Sequence, residues 1–320
     1  MVRHLSARII VTLALVCTSG VLSPISRAVQ PPEVAILYPV LEEPYRGVLA
    51  SIIEGVQADS KIATKLFPLD DGYDANRLSN AITSGHFSAI IALGRTGLTA
   101  AEKWRGKIPI VVGALLLSPE VGKRGLAGIS LAADPERLLA HLKVLDPAVK
   151  RVHVVYSADS SEWLVKIALG IGKKLNLRLY SHESKDIRSS ALIYRDIIDK
   201  AQPGEDAIWL LPDPVAADGR IILPLLLREA WNKEILLFSS NPSQVKRGVL
   251  FALFPDNKSM GASLAKKAES YFGVDPDDIE NDIEPLRDLQ SAINIRTADH
   301  MGLTITNEER KGYELVFPTP

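Results

Sequence analysis

Ala89-Ile90-Ile91-Ala92-Leu93 and Pro109-Ile110-Val111-Val112-Gly113-Ala114-Leu115 decide the fold class. Both runs are short, uncharged and apolar at consecutive rather than alternate positions. A strand with one face in water alternates polar and apolar side chains, whereas a strand covered on both faces does not. The two runs therefore read as strands of a parallel sheet with helices on either side.

The same grammar extends in both directions. Upstream, Val34–Tyr38 reads as a first strand, and Ala63–Pro68 as another. Between them Val48, Leu49, Ile52, Ile53 and Val56 recur at helical spacing behind Pro44, a favourable helix start. Asp74–Ser84 reads as a helix closed by Gly85. A second set begins near residue 132. Pro135–Leu145 is helical, Val152–Tyr156 is a strand, and Leu164, Ile167, Ala168, Ile171 and Leu175 mark one helix face. Strands at Leu177–Tyr180, Ala207–Leu211 and Ile235–Phe238 alternate with helices around 187–201 and 218–231. Val249–Leu253 is a further strand and Lys258–Phe272 a helix. Ala292–Arg296 reads as the final strand, with a short helix over Thr297–Gly302. Two successive sets of alternating strands and helices predict an α/β protein of two doubly wound, parallel-sheet lobes. The acid-rich stretch Asp275–Glu284 lacks the spacing of a calcium loop and reads as a solvated linker.

A length of 320 residues is ample for two domains. Net charge is −1, so no basic excess favours nucleic acid or an anionic membrane. Arg3, His4 and Arg8 precede an apolar run from Ile9 to Cys17, and small residues lead to Ser26-Arg27-Ala28. This order predicts a secretory signal over 1–28, cleaved after Ala28, and hence a periplasmic protein. The run holds nine residues, well short of the ~20 needed to span a bilayer. Cys17, the one cysteine, lies inside that segment and follows Val16 rather than the small residue a lipidation signal prefers. No disulfide is then expected in the processed chain.

The sequence shows no catalytic set. Gly170-Ile171-Gly172-Lys173-Lys174 falls within a helical pattern rather than after a strand, so it is not a phosphate loop. His182-Glu183 lacks the second histidine of a zinc protease, and Gly128-Ile129-Ser130-Leu131-Ala132 lacks the closing glycine of a nucleophile elbow. The expectation is a binding protein rather than an enzyme, with neither cofactor nor metal.

Several segments resemble the ABC-transporter substrate-binding family that includes tryptophan and tyrosine receptors. Ile91-Ala92-Leu93-Gly94-Arg95-Thr96 is similar to that family's strand running into Gly-Thr-Pro. Ile108-Pro109-Ile110-Val111-Val112-Gly113-Ala114 resembles its Ile-Pro-Ile-Val-Phe-Ala, and Leu126-Ala127-Gly128-Ile129-Ser130 its Ile-Thr-Gly-Val-Ser. Leu145-Asp146-Pro147-Ala148-Val149-Lys150-Arg151-Val152, Gly248-Val249-Leu250, Met260-Gly261 and the ending Ile293-Asn294-Ile295-Arg296 through Met301-Gly302-Leu303 also fit. Arg95 departs from the usual small polar residue, and Leu115-Leu116-Leu117-Ser118-Pro119 from a more polar stretch. The resemblance implies the type I periplasmic-binding fold, with lobe one at 29–131 plus 254–290 and lobe two at 132–253 plus 291–320. It implies a monomeric receptor that captures an amino acid or related small carboxylate between its lobes. The partner would be an inner-membrane ABC permease with a cytoplasmic ATPase; nucleic acid is not a partner. A ligand-sensing module for a membrane kinase or cyclase is the alternative.

In open α/β sheets, ligands sit beyond the carboxyl ends of the strands. That rule selects Tyr38, then Gly94, Arg95 and Thr96, then Ala114 and Leu115 in the first half. In the second half it selects Tyr156 and Ser157, Asp213 and Pro214, and Ser240 and Asn241. Arg95 is suited to a ligand carboxylate and Asp213 to a ligand ammonium. Tyr38 and Tyr156 can stack on a flat ligand. Thr96 can meet an anion or simply cap a helix, and Gly94 lets backbone approach closely.

Overall fold

The computed structural model describes residues 32–58, 62–119 and 125–318. The expected signal at 1–28 lies outside the described residues. The chain first builds β1 (Glu33–Pro39), α1 (Tyr45–Gln57), β2 (Ala63–Leu69), α2 (Ala75–Ser84), β3 (Ala89–Leu93), α3 (Gly94–Ala101), β4 (Ile110–Gly113) and β5 (Leu126–Ala133). After α4 (Pro135–Leu145) come β6 (Arg151–Tyr156), α5 (Ala158–Lys174), β7 (Arg178–Glu183), α6 (Ile187–Lys200) and β8 (Asp206–Leu210). These lead to α7 (Ile222–Asn232), β9 (Leu236–Ser239), α8 (Pro242–Arg247) and β10 (Phe251–Pro255). The chain closes with α9 (Asn257–Glu269), β11 (Asp282–Leu286), β12 (Leu289–Asn294), α10 (Ile295–His300), α11 (Asn307–Arg310) and β13 (Leu315–Phe317).

Two sheets result. One runs β11-β5-β4-β3-β1-β2 with every pairing parallel. The other runs β13-β12-β10-β9-β8-β6-β7, parallel except where β12 meets β10. Both faces of each sheet are covered. In β1, Val34 and Ile36 enter one apolar cluster while Ala35 and Leu37 enter another on the opposite face. β3 is buried at every position, as a doubly covered strand must be. The fold is thus the two-lobed α/β architecture expected from the sequence.

Local signals set the element ends. The Asp74 carboxylate caps α2 by accepting from the N–H groups of Asn76 and Arg77. Asp186 and Ser189 cap α6 reciprocally. β4 is shorter than the expected Pro109–Leu115, because Ala114 has φ of 55°, which breaks the strand. One contact fixes how helices cover the first sheet. α1 crosses α9 where Gly55 faces Gly261, and a methyl group on either would overlap the other helix's backbone.

The end of the chain departs from expectation. Asp275–Glu284 is not wholly linker, because its last residues enter β11, which pairs with β5. Ile283 and Leu286 face inward, while Asp282 and Glu284 face outward and meet Lys267 Nζ at 2.8 and 2.9 Å. Ala292–Arg296 is not the final strand either. β12 stops at Asn294, whose side chain accepts from the Thr297 N–H and starts α10, and β13 follows it.

The chain passes between the sheets three times: after β5, after β10 and after β11. The third passage binds the other two. Asp134 N–H donates to the Leu286 carbonyl at 2.8 Å, and Asp256 N–H to the Asp288 carbonyl at 2.9 Å. Arg287 lies 3.4 Å from the Asp134 carboxylate and 3.2 Å from that of Glu136. Among the described residues no helix is long and apolar enough to cross a membrane.

Candidate functional site

The carboxyl ends of the two sheets face a shared cavity of about 210 Å³. The first half contributes Leu116, Leu117 and Ser118 after β4, and Ser130 and Ala132 of β5. The second contributes Asp159, Ser160, Ser161, Trp163 and Leu164 from α5, with Pro212 and Pro214 after β8.

Each wall is built from the backbone outward. Ala114 turns the chain at the end of β4. Leu131 N–H then donates to the Leu115 carbonyl at 2.9 Å, laying the following residues along β5. The buried Ser130 hydroxyl accepts from the N–H groups of Leu117 and Ala132, at 3.0 and 3.3 Å. On the other wall, Asp213 is buried and accepts four hydrogen bonds. Its Oδ2 takes the Ser157 N–H and hydroxyl, each at 2.8 Å, and its Oδ1 takes the N–H groups of Val215 and Ala216, each at 2.9 Å. A carboxylate has about four acceptor positions, so Asp213 is fully engaged. The loop after β8 and the start of α5 are thereby one rigid unit.

This arrangement leaves α5 without a side-chain cap, since the Ser157 hydroxyl is turned to Asp213. Asp159 stands exposed in the first helical turn and is the one charged side chain among the residues lining the cavity. Trp163, one turn on, gives the cavity an aromatic surface. Behind this wall the buried Tyr194 hydroxyl makes no hydrogen bond among the described residues; burial, then the nearby Asp213 charge, raises its pKa.

The structure sorts the sequence candidates. Pro214 lines the cavity, and Leu115, Ser157 and Asp213 lie immediately behind its walls. Asp213 does not offer the open acceptor expected of it, because burial commits both oxygens to the protein itself. Gly94 begins α3 with φ of 67°, a conformation glycine adopts without strain. Arg95 and Thr96 are exposed on the first turn of α3 but outside this cavity. Thr96 is not the cap, a position held by Leu93. Tyr38 instead lines a separate apolar groove of about 420 Å³ beside α1 and β2. Tyr156 is half-buried against the core of the second half, and its pKa is raised by burial and by Glu183. Ser240 is half-buried; Asn241 caps α8, accepting from the N–H and hydroxyl of Ser243 at 2.9 and 2.7 Å. The strand-end rule missed Ser118, Ser130, Asp159, Ser160, Ser161 and Trp163. A signal existed for the α5 residues: the serine-rich start of that helix follows β6 directly, one turn beyond where the rule stops. Among the described residues no group of three or more acidic, histidine or cysteine side chains is placed to hold a metal ion.

Residues 69–311 match the family model described as ABC transporter substrate binding protein. Among solved structures, the chain is similar to the ligand-free, open structure of a substrate binding protein with adhesive properties from Clostridium difficile. The TM-score there is 0.61 at 14% identity, over 89% of this chain and 99% of that one. It is also similar to an ABC domain in complex with L-Trp from Streptococcus pneumonia, with TM-score 0.52 and 17% identity over 89% and 99% of the two chains. A conserved domain protein from Vibrio cholerae gives the same TM-score and identity, over 90% and 100%. At these identities the likeness is one of fold. No curated protein matches the sequence.

Proposed function

The chain belongs to the ABC transporter substrate-binding protein family, and on that premise we propose that it is an extracytoplasmic receptor that closes on an amino acid or related small carboxylate and delivers it to an ABC permease. The observation that carries this reading is the cavity lined from both sheets at their carboxyl ends. Divided at whole strands, lobe one runs through β5 to residue 133 and resumes over 256–286, and lobe two takes 134–255 and 289–318, a shift of a few residues from the expected bounds, with the three passages between sheets as the hinge. Closure is a rotation about those passages, which the Asp134–Leu286 and Asp256–Asp288 backbone hydrogen bonds keep together as one unit.

Within the cleft, Asp159 takes over the role expected of Asp213. It receives the ligand ammonium while Asp213 holds its helix in place. Trp163 and Leu116 cover the apolar part of the ligand. Arg95, exposed at the start of α3, swings toward the ligand carboxylate as the lobes meet. Each ligand contact is thus split between lobes, so binding energy favours the closed form over the open one. The permease then reads closure rather than the ligand itself.

A thermal-shift screen of small metabolites on the purified protein tests this. A ligand at 100 times its Kd stabilises the native state by about 2.7 kcal/mol through mass action alone. The ligand recovered afterwards is chemically unchanged. A best ligand that is consumed, or an amino-acid and carboxylate panel that leaves the melting point unmoved, defeats the reading.

A further inference from the structure

A second cavity, of about 280 Å³, lies at the other end of the second sheet. It adjoins Gly248, just before β10 begins, and Asn294, where the antiparallel β12 ends. Both positions mark the amino ends of the parallel strands, so this cavity faces away from the cleft. Its lining includes Lys246, Arg247 and Arg296, and no acidic side chain. The cations on α7 and just after it are neutralised: Arg228 pairs with Glu229, and Lys233 with Asp199. Arg247 gives one N–H to the Gly219 carbonyl at 2.9 Å.

Helix polarity accounts for part of this charge. Lys246 and Arg247 occupy the last turn of α8, where a cation offsets the negative end of the helix. Arg296 occupies the first turn of α10, where the helix end is already positive and a cation is disfavoured. It is nevertheless held toward the cavity, its guanidinium 5.6 Å from the Trp231 ring. Trp231 is itself fixed by the His300 ring, stacked at 3.7 Å and 1°. The three cations are exposed and form no ion pair among the described residues, so their repulsion is modest and screened by salt, and a bound anion turns it into attraction.

We propose that this cavity binds a phosphate-type oxyanion, either free or carried by a lipid headgroup. Arg296 and Arg247 supply planar donor forks for its oxygens, and Lys246 adds a point charge. The site is separate from the cleft, so its occupancy leaves solute capture intact and tethers or reports at the opposite pole.

Calorimetric titration of the full chain with inorganic phosphate, against chloride at equal ionic strength, tests the proposal. The expected result is saturable phosphate binding that Arg296→Gln or Lys246→Gln each weakens by about tenfold or more, the usual loss for one charge-assisted contact. Co-sedimentation with phosphatidylglycerol vesicles, but not with phosphatidylcholine vesicles, and its loss in Arg296→Gln, identifies a headgroup as the source. Saturable phosphate binding without vesicle binding identifies the free anion. Phosphate and chloride titrations that coincide with no vesicle binding, or binding unchanged in both variants, overturn it.

Discussion

Asp213 Oδ2 accepts both the backbone N–H and the hydroxyl of Ser157, each at 2.8 Å, and so ties the loop after β8 to the first residue before α5. The two residues are 56 positions apart and both are buried. The clamp sets where the α5 serines and Asp159 face the cleft.

Removing that clamp should destabilise the fold. Asp213→Ala leaves four donors without their acceptor, at about 1–3 kcal/mol for each one that stays dry. Water reaching the loop reduces the total, so a loss of about 3 kcal/mol is expected in urea unfolding. Asp213→Asn should lie between the two. A stability within about 0.5 kcal/mol of wild type would show that the loop is held by other contacts.

Ligand affinity should respond to exposed residues instead. Asp159→Asn and Arg95→Ala should each weaken an amino-acid ligand by about tenfold or more, as loss of a hydrogen bond to a charged group does. Arg95→Ala should not lower the melting point, and Asp159→Asn should lower it only slightly, by about 0.3–1 kcal/mol, the contribution of an exposed acid in a first helical turn. Calorimetry on both variants, with small-angle scattering to follow closure, measures this. Unchanged affinity in both would assign the pocket to Trp163, Leu116 and Leu117 and point to an apolar ligand.

Acid should weaken the protein through His141. Burial against the core pushes its pKa down to about 4, beside the Phe251 ring at 4.8 Å. The unfolded chain protonates near pH 6.5, so between pH 6.5 and 4 the unfolded state binds the extra proton. Stability from this group is therefore complete above about pH 6.5, falls as pH is lowered, and is fully lost below about 4, by at most about 3 kcal/mol. His141→Phe should flatten that part of the stability–pH curve. An unaltered curve would assign acid sensitivity to other groups.

The helix crossing offers a packing test. Gly261→Ala places a methyl group against the backbone of α1 near Ile52 and Gly55. Overpacking of this kind costs about 1–3 kcal/mol, so the unfolding midpoint should drop although alanine is the better helix former. Gly170→Ala, where nothing lies within 4 Å, should do the opposite. Equal responses at the two positions would mean that α1 and α9 can slide apart freely.

How much was legible depended on the range of the interaction. The β3 strand and the α4 helix have the bounds that their apolar runs and flanking Asp–Pro or Gly signals indicate. β11 was hidden because the six acids of Asp275–Glu284 look solvated until Lys267, on α9, is seen to neutralise two of them. Alternation of Asp282, Ile283 and Glu284 was the available clue. Asp213 was placed at the correct strand end, but its freedom to meet a ligand was not readable.

Periodicity, strand-end position and helix caps are properties of neighbouring residues, so the sequence by itself determined the α/β class, the two-lobe plan and the ends of the strands where a cleft forms. Which polar groups at those ends remain available was decided only by tertiary structure. Asp213 lost its availability to Ser157, 56 positions away, while Asp159 kept its own. The physical reason is that a buried carboxylate must spend its hydrogen-bonding capacity on whatever donors packing brings near, and packing is not a local property of the chain.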